Sequence, residues 1–104
     1  MKKSSPSQQR SRPAAEEQLQ TLRNLGRTSA QWLHAAGIRD ERTLRELGAV
    51  QAFRNVRARG FRPSLVLLYA IEGALLDVHW NQLSITHKTR LRELLEAADD
   101  DNMP

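Results

Sequence analysis

The residues best suited to chemistry lie in one short run, Arg23-Asn24-Leu25-Gly26-Arg27-Thr28-Ser29. Leu25 is an apolar residue inside a polar turn, so it tucks inward. Gly26 permits positive φ and close approach of another backbone. The amides after it sit at a helix N-terminus, where partial positive charge gathers and N–H groups lack partners. Such a terminus holds an anion, and Arg23 and Arg27 flank it. A phosphate of duplex DNA is the anion that suits a basic contact blind to base identity. Arg54 and Arg57, three residues apart and so on one helical face, extend the contact. The same turn also serves as a bare helix connection with no ligand.

No second set of residues has the spacing of a reactive centre. His34, His79 and His87 share no metal-ligand spacing, and the chain has no cysteine. No metal and no cofactor is therefore expected. A Gly-rich phosphate loop, a nucleophile elbow and a carboxylate pair of glycosidase type are all absent from the sequence. Glu72 sits within an apolar segment, where a carboxylate must be paired or hydrogen-bonded, and an Arg or backbone donors are its expected partners. His79-Trp80 reads as a packing pair before a turn at Asn81. Two Trp, two Phe and one Tyr give no stacking platform for single strands. The reading is a binding module: not an enzyme, and without a small-molecule substrate.

The elements that must position these residues are helices, and no segment shows strand-like alternation. A first helix is expected over 15–23, with Leu19 and Leu22 on one face. A second begins at Thr28 or Ser29, with Thr28 and Gln31 at capping-box spacing and Gly37 as its stop. Asp40 caps a segment to Leu47, Gly48 separates it from another near 49–59, and Gly60 closes that one. Residues 64–79 are apolar almost all round and form the central helix. Gly73 inside it marks a close helix crossing, because an internal Gly costs about 1 kcal/mol against Ala. A last helix spans 86–98, with Leu91, Leu94, Leu95 and Ala98 as its stripe. The expected core is Leu68, Ile71, Leu75 and Trp80, with Trp32 and Phe53 beside them. The fold class is all-α, a small five-helix bundle resembling a helix-hairpin-helix. That motif's turn reads apolar-x-x-Gly-apolar-Gly. Asn24 stands at its first glycine, and Asn is the residue with a side chain that best tolerates left-handed backbone.

The chain has 104 residues and a formal charge of +4, unevenly placed. Residues 23–62 hold nine Arg, no Lys and three acids, whereas 63–104 hold seven acids and three bases. Arg presents a planar fork of donors that matches phosphate and carboxylate. Residues 1–14, with Lys2, Lys3, Arg10 and Arg12 and no acid, read as a disordered basic tail. Residues 99–104 read as an acidic tail, leaving 15–98 as the helical domain. No apolar stretch approaches the ~20 residues of a membrane span, and no secretory signal opens the chain. Cytoplasmic location without membrane contact is the expectation.

Several blocks in order then resemble a known family. They are Leu22-Arg23-Asn24-Leu25-Gly26, Trp32-Leu33, Ala36-Gly37-Ile38, Leu44-Arg45-Glu46-Leu47-Gly48-Ala49-Val50, Leu67-Leu68-Tyr69-Ala70-Ile71-Glu72-Gly73-Ala74-Leu75 and His79-Trp80-Asn81-x-Leu83. Together they are similar to the C-terminal domain of the TfoX/Sxy family. The resemblance implies a helical domain from bacterial regulators of natural competence, here standing without the family's N-terminal α/β domain. Two partner readings stay open. One is duplex DNA, held through phosphates without sequence preference. The other is an acidic protein partner, such as a transcription factor or polymerase surface, meeting the Arg block.

Overall fold

Asp40 shows how local chemistry sets the elements. In the computed structural model, which describes residues 19–101, its carboxylate accepts a hydrogen bond from the Thr43 N–H at 2.8 Å. That bond holds the Asp40 carboxyl below its ordinary pKa and opens helix α2, Glu41–Ala58. Gly48 breaks the helical path inside α2 with φ 80 and ψ 169, at the expected boundary. Two helical halves therefore meet at a kink within α2. Before it lies α1, Arg27–Ala35, which ends as Ile38 N–H donates to Leu33 O at 2.9 Å. Ile38 itself is buried and plugs the connection.

Helix α3, Leu65–Leu76, is the apolar centre, with Leu68 and Ile71 fully buried against Leu44, Phe53 and Val56 in one core. Each such side chain contributes about 1.5–3 kcal/mol through burial. The helix is shorter than the expected 64–79. Asp77 adopts left-handed backbone, φ 58 and ψ 44, and Val78 N–H folds back onto Gly73 O at 2.9 Å. Leu75 and Trp80 are consequently only half-buried, at the edge of the core. A 3-10 turn, Trp80–Gln82, is capped by His79, whose backbone N–H donates to Gln82 Oε1 at 3.2 Å. Helix α4, Ile85–Asp101, completes the described residues. Leu91 and Leu95 bury as expected, whereas Leu94 faces solvent, so the buried stripe is narrower than the i, i+3, i+4, i+7 spacing implies.

The described residues are all helix and turn, with four α-helices and no strand. The sequence offers six segments for a five-helix bundle: the two around Gly48 lie in α2 on either side of its kink, and the first is not among the four. Of the expected first helix, the described part is helical only at 19–20. Its earlier residues and the basic tail at 1–14 lie outside the described residues. No helix among them is long and apolar enough to cross a membrane.

Candidate phosphate site

Asn24 holds the position expected of a hairpin glycine, with φ 75. Its side chain, however, points into the protein. Nδ2 donates to Val78 O at 2.8 Å and to Ala70 O at 3.4 Å, and Oδ1 accepts the Trp80 N–H at 3.1 Å. These bonds stitch the turn to the end of α3. They also explain Gly73. A Cβ there would sit 2.5 Å from Asn24 Nδ2 and 2.7 Å from Val78 O. The close approach expected at Gly73 is thus with a turn and a returning chain, not with a crossing helix.

Gly26 corrects a second expectation. Its φ is −90 and ψ −171, extended backbone open to any residue, and an added Cβ meets nothing within 4 Å. The left-handed residue of the turn is Asn24, because its amide is bonded on three sides and fixes that geometry. Gly26 is the N-cap of α1, which starts one residue ahead of Thr28. The Thr28–Gln31 capping box is therefore not formed, and no side chain caps this end.

What stays open is the start of α1. The first intrahelical bond runs from Ala30 N–H to Gly26 O at 3.0 Å, so the preceding amides are unused within the helix. The first turn carries no acid. Arg27 and Thr28 are exposed beside it. Thr28, Ser29 and Asn24 line a cleft of about 450 Å³ with Trp32, Trp80, Val66, Ser64 and Arg62. Neither Arg27 nor Arg62 has an acidic partner among the described residues. Sequence reasoning missed Arg62. Its signal was slight: an Arg between Phe61 and Pro63, in a loop free of acids. The structure brings it in because Phe61 stacks on Trp32, ring centroids 5.2 Å apart and 14° from parallel.

The remaining candidates have partners. Arg23 Nε meets Asp77 Oδ1 at 3.3 Å, both side chains well exposed, so the pair is weak and screened. Arg54 and Arg57 do share a face of α2, and both hold Asp99 of α4. Glu72 is half-buried and paired, but with His87 rather than an Arg: Nε2 to Oε2 is 2.7 Å. His79 and Trp80 stack at 6.2 Å, and Lys88 lies over the Trp80 and Tyr69 rings. Among the described residues no group of His, Asp and Glu is placed to hold a metal ion.

The family model for the TfoX C-terminal domain matches residues 15–95. Among solved structures, an uncharacterised protein from Listeria monocytogenes in a triclinic crystal form is similar. It is 28% identical, with a TM-score of 0.70, over 78% of this chain and 92% of that one. No curated protein matches the chain.

Proposed function

The chain belongs to the TfoX C-terminal domain family, and from that premise we propose a competence-related regulatory domain that holds duplex DNA by its phosphates at the start of α1. The observation that carries this reading is the unpaired cationic end of that helix. Free amides lie beside a cleft lined by Arg62, Arg27 is exposed as the first residue of the helix, and the first turn carries no acid. Thr28 and Ser29 add hydroxyl donors, and Arg23, held among the described residues by an exposed ion pair, can be redirected. Asn24 serves the site by shaping the turn, not by touching the ligand. The contact is to backbone phosphate, so it positions the domain without reading sequence. The proposal assigns binding and no catalysis.

Random-sequence duplex tests it. The full chain binds at low salt, and Arg27→Ala and Arg62→Ala each weaken binding equally for all sequences. Each also flattens the log–log salt dependence by about 0.9, the slope for one neutralised phosphate. Gly26→Val, which the open extended backbone accepts, leaves the fold intact and obstructs the amides. Absence of duplex binding at low salt overturns the reading.

A second reading has its own observation. The cleft floor is apolar, with Trp32, Trp80, Leu67 and the exposed Val66. An acidic protein segment with one apolar anchor fits such a surface, as at other interfaces built on aromatic anchors and Arg. Binding of an acidic peptide in place of duplex supports this alternative.

A further inference from the structure

Arg54 and Arg57 form a preorganised fork on α2. The Arg57 guanidinium lies over the Phe53 ring, 5.2 Å from its centroid. Arg54 Nη1 donates to Gln51 Oε1 at 3.2 Å, and Gln51 is held in turn by Asn55 at 2.8 Å. All these supports come from α2 itself, so the fork keeps its shape whatever fills it. Its occupant comes from elsewhere. Asp99, in the last turn of α4, receives Arg57 Nη2 on both oxygens at 2.7 and 2.8 Å, and Arg54 Nε at 3.2 Å. One Arg57 nitrogen thus spans both carboxylate oxygens while Arg54 holds the first, and two guanidiniums around one anion also suit phosphate.

The end of α4 is poorly suited to holding Asp99 there. It carries Asp99, Asp100 and Asp101 with no base in its last turn. Negative charge at a helix C-terminus opposes the macrodipole, and terminal turns fray at little cost. The fork is what offsets this, and its donors hold the Asp99 carboxyl below its ordinary pKa, Arg57 foremost. Asp99 is also 40% exposed, within reach of a competing anion.

We propose that the Arg54–Arg57 fork is a second phosphate site for nucleic acid, occupied in the free protein by the Asp99 carboxylate as an internal stand-in. Duplex phosphate and the end of α4 compete for it. This rests on the duplex reading above and adds a built-in restraint to it: full engagement requires the last turn of α4 to let go.

The test compares full-length Asp99→Asn and Asp100→Asn on random duplex across 50–200 mM salt. Both remove one charge, but Asp100 is exposed and has no partner among the described residues. Asp99→Asn steepens the salt slope by about 0.9, so its advantage over the native chain falls roughly 3.5-fold across that range. Asp100→Asn leaves the slope unchanged. Arg57→Gln cancels the gain in the Asp99→Asn background and weakens the native chain by less. Equal slopes for the two Asp variants show that the fork is only a helix tie, and overturn the proposal. So does a gain confined to an acidic peptide. Native binding with no Asp99 effect sinks this proposal and leaves the duplex reading standing, whereas no binding by any variant sinks both. Should Asp99→Asn unfold, hydrogen exchange on the native chain decides. With saturating duplex at low salt, amides 98–101 exchange faster, and unchanged or slower exchange overturns the proposal.

Discussion

The Asn24 turn and the Arg54–Arg57–Asp99 fork each tie residues more than forty positions apart. The turn uses a neutral amide, partly buried, aimed at backbone groups over a glycine with no room to spare. The fork uses full charges at a half-exposed surface. A neutral amide meeting backbone donors and acceptors has no competitor in solution that reproduces its geometry. A carboxylate on two guanidiniums has an obvious one in phosphate. Position in the sequence made both look like DNA contacts, yet the first is architecture and the second is, on our proposal, exchangeable.

Asn24→Ala is the most severe test of that contrast. It leaves the Trp80 N–H and Val78 carbonyl unpaired and puts Ala at φ 75. The cost is about 3 kcal/mol in urea unfolding. Asn24→Gly, free of the backbone strain, recovers about 1 kcal/mol of it; equal costs would mean that left-handed backbone is not part of what Asn supplies. Gly73→Ala pushes a methyl against the same amide and the Val78 carbonyl, and costs about 1–3 kcal/mol. A wild-type melting curve for it would show that the latch yields. Arg57→Gln removes a charged tie of similar span but costs at most about 1 kcal/mol, less in high salt, because water screens the pair. A larger, salt-insensitive loss would place the fork with the architecture.

Acid gives the smallest and cleanest separation. The Asp99 carboxyl is held below its ordinary pKa by Arg57 and Arg54. Its contribution is therefore complete above the ordinary carboxylate value, about pH 4, and is lost as pH falls through the depressed folded value. The Asp40 cap behaves with the same sign. Asn24 does not titrate, so the Asn24→Ala penalty stays constant over the acid range in which the Arg57→Gln penalty vanishes. A parallel decline of both would erase the distinction.

Features legible in the sequence were those fixed by neighbours along the chain. Asp40 caps its helix through Thr43, three residues on, and Gly48 and Gly60 turn the backbone where left-handed φ is required. Leu68 and Ile71 follow from an apolar segment too long to be anything but central. The missed charge and amide pairings were long-range. Asn24 reaches residues 46 to 56 positions away, Glu72 finds His87 on another helix, and Asp99 finds two arginines across the bundle. Charge and amide pairings of this kind depend on tertiary placement, which spacing does not encode. Arg62 belongs with them: it enters the cleft through the Phe61–Trp32 stack, a contact between loop and helix.

The chain has two tryptophans, and both wall the same cleft. Trp32 lies against Phe61, and Trp80 against Tyr69, His79 and the Lys88 ammonium. All the indole emission of this protein therefore originates at one surface feature. Its colour and quenching report what fills or dries that cleft, and the domain carries its own optical sensor without a label.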